Sequence, residues 1–322
     1  MSVLSPYRIA ITSSVHRRSL PLLPNRFLRI LRLSSTMANI PIKLNDGNTI
    51  PAIGFGTGTA LYGKDASSMI ATAIKAGFTH FDGAQVYANE DSLGAGIIAS
   101  GKPRSELFIT TKLTRIPDGQ TVRDTLVESL KKLQINYVDL FLIHTPVNHV
   151  GKLKETWKEV EAMKKEGLAK SIGVSNFSVK SLTEILQDAS IVPAVNQIEF
   201  HPHVYLELKP LLEFQAKHGI VTESYGGLSP LFRSQGSSVT IVIKSIVERL
   251  SKSIDKPVTE AHILLLWLRQ KGIVAITTSK NPERVKEYIA VADLPDLTGE
   301  DIAAIDEAGS EEHHRHFTRF FD

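Results

Sequence analysis

From Ile40 onward the chain alternates short apolar runs with longer stretches in which apolar side chains recur every three or four residues. The short runs are Ala52–Gly56, Phe78–Asp82, Leu107–Leu113, Tyr137–His144, Ser171–Val174, Ala194–Ile198, Ile220–Ser224 and Ile273–Thr277, which makes eight candidate strands. The stretches between them read as amphipathic helices. Val122–Leu133 places Val122, Leu126, Val127, Leu130 and Leu133 on one face and its charged residues on the other. Leu153–Gly167 repeats the design, with Gly167 as its left-handed stop.

Strands that are apolar on both faces and separated by helices form parallel units with right-handed crossovers. Eight such units predict an α/β chain folded as a (β/α)8 TIM barrel, a fold that takes roughly 250 residues. Ahead of it an N-terminal β-hairpin is expected, because Ile40–Leu44 and Asn48–Ile50 flank the tight-turn pair Asp46-Gly47. The rival is an open, doubly wound sheet. It requires a glycine-rich phosphate turn, and Gly54-Phe55-Gly56-Thr57-Gly58 lacks both the GxGxxG spacing and the ribose-binding acid at the usual distance. No long linker or low-complexity segment interrupts residues 37–322, which are expected to form a single barrel domain.

Charge adds a leader to this picture. The 322 residues carry 37 Lys+Arg against 34 Asp+Glu, a net charge of +3 that invites a nucleic-acid or anionic-membrane reading. Residues 1–36, however, hold Arg8, Arg17, Arg18, Arg26, Arg29 and Arg32, no lysine and no acid. Without those six arginines, residues 37–322 carry 31 basic and 34 acidic groups and a net charge of −3. The leader reads as a mitochondrial transit peptide or as a disordered extension ahead of Met37, and both readings stand. The mildly acidic body gives no reason to expect a nucleic-acid or membrane partner. No apolar run approaches the roughly 20 residues that span a bilayer. The absence of cysteine excludes disulfides, thiolate nucleophiles and iron–sulfur clusters.

In a (β/α)8 barrel the strand ends at the C-terminal face carry function. Those positions hold Asp82 and Tyr87, Lys112, His144, Ser175 and Asn176, Gln197, Tyr225, and Ser279 with Lys280. Singly, each has a structural explanation, such as a snorkelling lysine or a capping aspartate. Jointly, Asp82, Tyr87, Lys112 and His144 are complementary. A buried lysine requires a carboxylate, and Asp82 supplies one from the neighbouring strand. A tyrosine titrates near pH 10 or so. An adjacent ammonium is expected to lower that value, while a histidine orients a carbonyl. Such a group is suited to donating a proton during carbonyl reduction.

The order D-x-A-x-x-Y, then K, L-I-H, S-N-F and Q-I-E resembles the aldo-keto reductase family over Ile40–Asp322. TSKNPERVKEYI and GFGTGTALYG are most similar to its conjugated polyketone reductase and α-keto amide reductase branch. The resemblance implies Tyr87 as general acid, Lys112 and Asp82 as the pair that tunes it, and His144 as the group that orients the carbonyl. It implies NADPH across the barrel mouth, with Gly56, Thr57, Asp82 and Leu228 among its contacts. Ser175, Asn176 and Gln197 would hold the nicotinamide carboxamide, and the Tyr225 ring would stack on the nicotinamide. Ser279, Lys280 and Arg284 would surround the 2′-phosphate, although Thr278-Ser279-Lys280 moves the lysine two places from the commoner pattern. In YGGLSPL two alignments leave backbone phosphate contacts from Leu228 or Ser229 open.

Gly58 and Thr145 stand where many relatives carry Trp, which implies a roomier pocket suited to α-dicarbonyls, conjugated polyketones or α-keto amides. An aldose or xylose-type reductase and a non-catalytic NADPH-binding regulatory subunit are the alternatives. The resemblance further implies a small-molecule carbonyl substrate and a monomer or weak dimer. The expected location is cytoplasmic, or mitochondrial if residues 1–36 are a transit peptide. His201-Pro202-His203 and His313, His314 and His316 come with no cysteine and no helical H-x-x-x-H, so no metal site is expected. The C-terminal tail is expected to fold over the mouth and contribute its Phe side chains to the pocket.

Overall fold

Asp46 and Gly47 reverse the chain as their types require. Gly47 has φ 89°, and the Asn48 N–H donates to Asp46 Oδ1 at 3.1 Å. Strands β1 (Pro41–Lys43) and β2 (Thr49–Pro51) then pair antiparallel with Ile42 opposite Ile50. The computed structural model describes residues 41–318. The leader 1–36, Ile40, Phe320 and Phe321 lie outside the described residues.

All eight candidate strands are present: β3 (Ile53–Gly56), β4 (His80–Asp82), β5 (Phe108–Leu113), β6 (Val138–Ile143), β7 (Ala169–Ser175), β8 (Val195–Glu199), β9 (Val221–Tyr225) and β10 (Val274–Thr277). They pair in parallel in sequence order, and β10 returns to β3 with Thr277 opposite Phe55. That closure rules out the open sheet. Gly173 is needed at the β7–β8 seam, where a Cβ would stand 2.4 Å from the Val195 carbonyl oxygen.

Helices α1 (Ser67–Ala76), α2 (Glu90–Ala99), α3 (Val122–Leu133), α4 (Leu153–Lys165), α5 (Val179–Leu186) and α6 (Pro202–Lys217) follow the strands in turn. Thr121 and Asp124 form a capping box that starts α3, whose buried apolar residues are Val122, Leu126, Leu130 and Leu133. Val127, expected on the same face, is 41% exposed. At about 100° per residue it falls roughly 60° beyond Leu130 on the helix circumference. Gly167, at φ 77°, closes α4 as expected.

The simple alternation fails after β9, where α7 (Ser229–Arg233), α8 (Ser238–Ser253) and α9 (Glu260–Gln270) precede β10. Helices α10 (Pro282–Ala290) and α11 (Gly299–Glu311) complete the order. Val239, Ile243, Ile246 and Leu250 form the buried stripe of α8, which packs on α11.

The apolar interior fills one end of the barrel. Phe108, Leu140, Leu142, Val195 and Val274 cluster there with Leu44 and Ile50 of the hairpin, which closes that end. The polar strand residues are left for the opposite mouth. Among the described residues no helix is long and apolar enough to cross a membrane.

Candidate active site

Three neighbouring strands and the loop after the first of them bring Asp82, Tyr87, Lys112 and His144 together. Asp82 ends β4, Lys112 lies near the end of β5, and His144 follows β6. Tyr87 closes a single turn of helix, Gln85–Tyr87, after which Ala88 turns left-handed at φ 52°. Asn89 anchors this loop to the one after β3: its Nδ2 donates to the Thr57 and Leu61 carbonyls, both at 2.9 Å.

Lys112 is fully buried. Its Nζ donates to Asp82 Oδ1 at 2.6 Å and to the Gly83 carbonyl at 2.9 Å, and stands 3.4 Å from the Tyr87 hydroxyl. The imidazole of His144 meets the Tyr87 ring edge-on, with centroids 5.6 Å apart. Burial opposes the charge of Lys112, but Asp82 more than offsets it and holds the ammonium above its ordinary pKa. Burial, reinforced by the Lys112 charge, depresses His144 to about 3, so its imidazole is neutral at pH 7. Tyr87 departs from the sequence expectation. Burial raises its pKa more than Lys112 lowers it, so at neutral pH the phenol keeps its proton.

Asp82, Tyr87 and His144 open into a cavity of about 350 Å³ whose wall includes Gly56, Gly58, Tyr62, Asn176, Tyr225 and Phe317. The expected tail contribution is present in Phe317, which packs edge-on to the Tyr225 ring at 5.3 Å. Gly58 lies so close that a Cβ there would stand 3.1 Å from Tyr87 Cζ. Thr145, the other residue expected to open the pocket, is buried away from this wall and caps the turn after it, accepting the Val147 N–H. Tyr62 restores an aromatic wall that sequence reasoning missed, its ring 6.0 Å from that of Tyr87.

The cofactor candidates divide. Asn176 faces the cavity at φ 63°, its Oδ1 accepting the Tyr225 hydroxyl at 2.7 Å and its Nδ2 donating to the His144 carbonyl. Ser175 stands behind it, donating to the Gln197 carbonyl at 2.8 Å. Gln197 is turned inward as well, and its Nε2 donates to Asp82 Oδ2 at 2.8 Å and Glu223 Oε2 at 2.7 Å. Thr57 is buried, its N–H and hydroxyl both directed at the Asp82 carbonyl. Glu223 was not anticipated. Burial and the nearby Asp82 raise its carboxyl to about 8.

Two further cavities continue from the first. One, of about 230 Å³, shares Gly226, Thr277, Thr278 and Phe317 with it and adds Leu228, Ser229, Phe232 and Arg233. The next, of about 410 Å³, shares Phe232 and Tyr288 and reaches Arg284. The Ser229 N–H is already committed to the Gly226 carbonyl. Arg284 stands over the Phe232 ring at 5.2 Å. Ser279 is buried within its own turn, while Lys280 is exposed and lies against Lys64, whose close contact and like charge lower its pKa. Tyr62 and Lys64 of the loop after β3, and Phe232 and Arg233 of the five-residue α7, had no periodic signal by which to be found. Such a run of connected cavities fits an extended dinucleotide, with the tetrad at one end and Arg284 at the other.

Residues 52–310 match the aldo/keto reductase family. The chain is 39% identical over 286 residues to an NAD/NADP-dependent indole-3-acetaldehyde reductase of Schizosaccharomyces pombe, covering 86% of this chain and 98% of that one. It is 35% identical to an NADPH-dependent alpha-keto amide reductase of Saccharomyces cerevisiae, over 83% of this chain and 90% of the other. A glyoxal reductase of Bacillus subtilis is 38% identical, over 84% and 93%. The structure of an aldo/keto reductase from Brucella melitensis superposes with a TM-score of 0.74 at 36% identity, covering 83% of this chain and 98% of that one. The chain therefore belongs to the aldo/keto reductase family. It is an oxidoreductase that acts on carbonyl groups with a nicotinamide cofactor.

Proposed function

We propose that the protein is an NADPH-dependent reductase of ketones and aldehydes, α-dicarbonyls, conjugated polyketones and α-keto amides among them, with Tyr87 as the proton donor. The observation that carries this reading is the placement of Lys112 Nζ between Asp82 and the Tyr87 hydroxyl, two groups that line the 350 Å³ cavity while Lys112 is buried behind them. When bound, the nicotinamide supplies a hydride to the substrate carbon. Neutral His144 hydrogen-bonds the carbonyl oxygen and fixes its direction. Tyr87 Oη hands that oxygen its proton, and Lys112 stabilises the charge left on the phenolate. Asp82 keeps Lys112 charged and aimed. Asn176, Tyr225 and Gly56 would form the wall that receives the nicotinamide, with Ser175, Gln197 and Thr57 supporting it from behind.

Arg284 makes no ion pair with a carboxylate among the described residues, and Lys280 and Lys64 repel one another at the surface. A 2′-phosphate would satisfy these cations, which supports NADPH over NADH. The cavity of about 350 Å³ supports bulky dicarbonyls over a small aldose. We place the catalytic domain at residues 37–322, acting as a monomer or weak dimer in the cytoplasm, with mitochondrial placement if the arginine-rich leader is a transit peptide.

Steady-state oxidation of NADPH with isatin, ketopantoyl lactone, methylglyoxal and xylose tests this reading. Turnover of the dicarbonyls above that of xylose and above a Tyr87→Phe control is expected; a preference for xylose overturns the substrate class. A Lys280→Ala, Arg284→Ala chain should show its KM for NADPH raised about tenfold more than that for NADH. Equal effects would move the 2′-phosphate elsewhere.

A further inference from the structure

The two histidine pairs that the sequence leaves far apart meet in the fold. His201 and His203 begin α6, directly after Glu199 ends β8. The tail beyond α11 returns over them. Its His316 and Phe317 N–H groups donate to Glu199 Oε1 at 2.8 Å and Oε2 at 3.0 Å. The four rings form a closed circuit: His201 to His203 at 6.1 Å, His203 to His314 at 5.1 Å, His314 to His316 at 6.5 Å and His316 to His201 at 5.7 Å.

Within it, one donor atom each from Glu199, His201 and His316 lies within 4.8 Å of the others. His316 Nε2 is buried with no hydrogen-bond partner, a condition that proteins seldom leave uncompensated. We propose that Glu199, His201 and His316 bind a divalent transition-metal ion of the zinc class, which straps the C-terminal tail to the barrel mouth.

Geometry and donor chemistry both favour it. Ligand atoms on a tetrahedral zinc, at bonds of about 2.0–2.1 Å, stand roughly 3.3 Å apart. The 3.1 Å between His201 Nε2 and Glu199 Oε1 is close to that edge. The third ligand, His316, lies within 4.8 Å of both and comes from the tail rather than from a barrel strand. Two imidazoles and one carboxylate suit zinc and its neighbours in the first transition row, whereas magnesium and calcium prefer all-oxygen sites. The adjoining group of His203, Glu312 and His314 has two exposed members, so the ion is assigned to the more buried set. The strap acts next to the pocket, because Phe317 is the residue after His316 and packs against Tyr225.

The test uses the untagged full chain, stripped of metal by a chelator, dialysed, and titrated with zinc chloride against a chromophoric zinc indicator. One tight equivalent is expected. His316→Gln should weaken it at least tenfold. His313→Gln, which alters a tail histidine paired with Glu207 at 2.9 Å, should leave it within twofold. Zinc should also slow tryptic cleavage at Arg315 in the unaltered chain and not in His316→Gln. Should that variant misfold, cobalt(II) added to the unaltered chain decides through its visible spectrum, with intense tetrahedral bands expected. Zinc binding no tighter than in folded His316→Gln, equal weakening by His313→Gln, or weak octahedral cobalt bands would each overturn the proposal.

Discussion

The two ends of the barrel each hold an aspartate between a cation and a second donor, and they use it differently. At the hairpin end Asp139 accepts Arg104 at 2.6 Å, Lys170 at 3.0 Å and the Ile109 N–H at 2.9 Å. Both cations keep part of their side chains in water. At the mouth Asp82 accepts Lys112 at 2.6 Å and Gln197 at 2.8 Å, and Lys112 has no exposed surface. Solvent screens the first group, which ties elements together at modest energy. In the second the surrounding low dielectric carries the field of Lys112 to Tyr87 and His144. Similar ion pairs thus serve as a rivet at one end and as the electrostatic floor of an active site at the other, according to their access to water.

The comparison can be broken most directly at Tyr87. Tyr87→Phe is expected to reduce kcat by a factor on the order of 10²–10⁴ while nicotinamide cofactor binding, followed by fluorescence titration, is retained. Unchanged turnover would make the mouth as structural as the hairpin end. Lys112→Met should lower kcat by about 10² and destabilise the chain by roughly 3–5 kcal/mol in urea denaturation, because Asp82 is left buried and unpaired. Arg104→Met, its counterpart at the hairpin end, should cost about 1–2 kcal/mol with kcat intact, since Lys170 remains on Asp139.

Gly58→Ala sharpens the contrast on a finer scale. Its Cβ presses on the Tyr87 ring at 3.1 Å, and roughly a tenfold loss of kcat with little change in melting temperature is expected. The smallest effect is on pH dependence. Glu223 titrates at about 8 when folded against an ordinary glutamate value of 4.5, so the stability it contributes is fully present below about pH 4.5 and is lost as pH rises through about 8. Glu223→Gln should flatten the stability profile across that window, as read by urea denaturation at stepped pH. With His144 held near 3, kcat should show no acid-side step near 6.5.

Much of the site was legible because it is built on strand ends. Asp82, Lys112 and His144 each stop an apolar run, and one loop carries Tyr87 beside them. The cofactor wall was only half legible. Asn176 faces the cavity, whereas Gln197 is drawn inward by Glu223, an acid inside a run read as an apolar strand. The one available signal was that acid itself, since an ionisable group in the middle of a buried strand needs partners. Tyr62 comes from a loop, and Phe232 and Arg233 from the five-residue α7, too short for a period to mark the inward side. The helices α7 and α8 interrupt the alternation with no change in composition to announce them.

Periodicity is a local property, so the strands, most of the helices, their order and the hairpin turn could be read along the chain; eight parallel units made closure the economical arrangement. Whether Tyr87 ends with a raised or a lowered pKa, which side Gln197 faces, and that the tail histidines meet His201 and His203 were settled only in three dimensions. These depend on through-space distances of a few ångströms and on exclusion of water, and neither quantity is a function of neighbours in sequence.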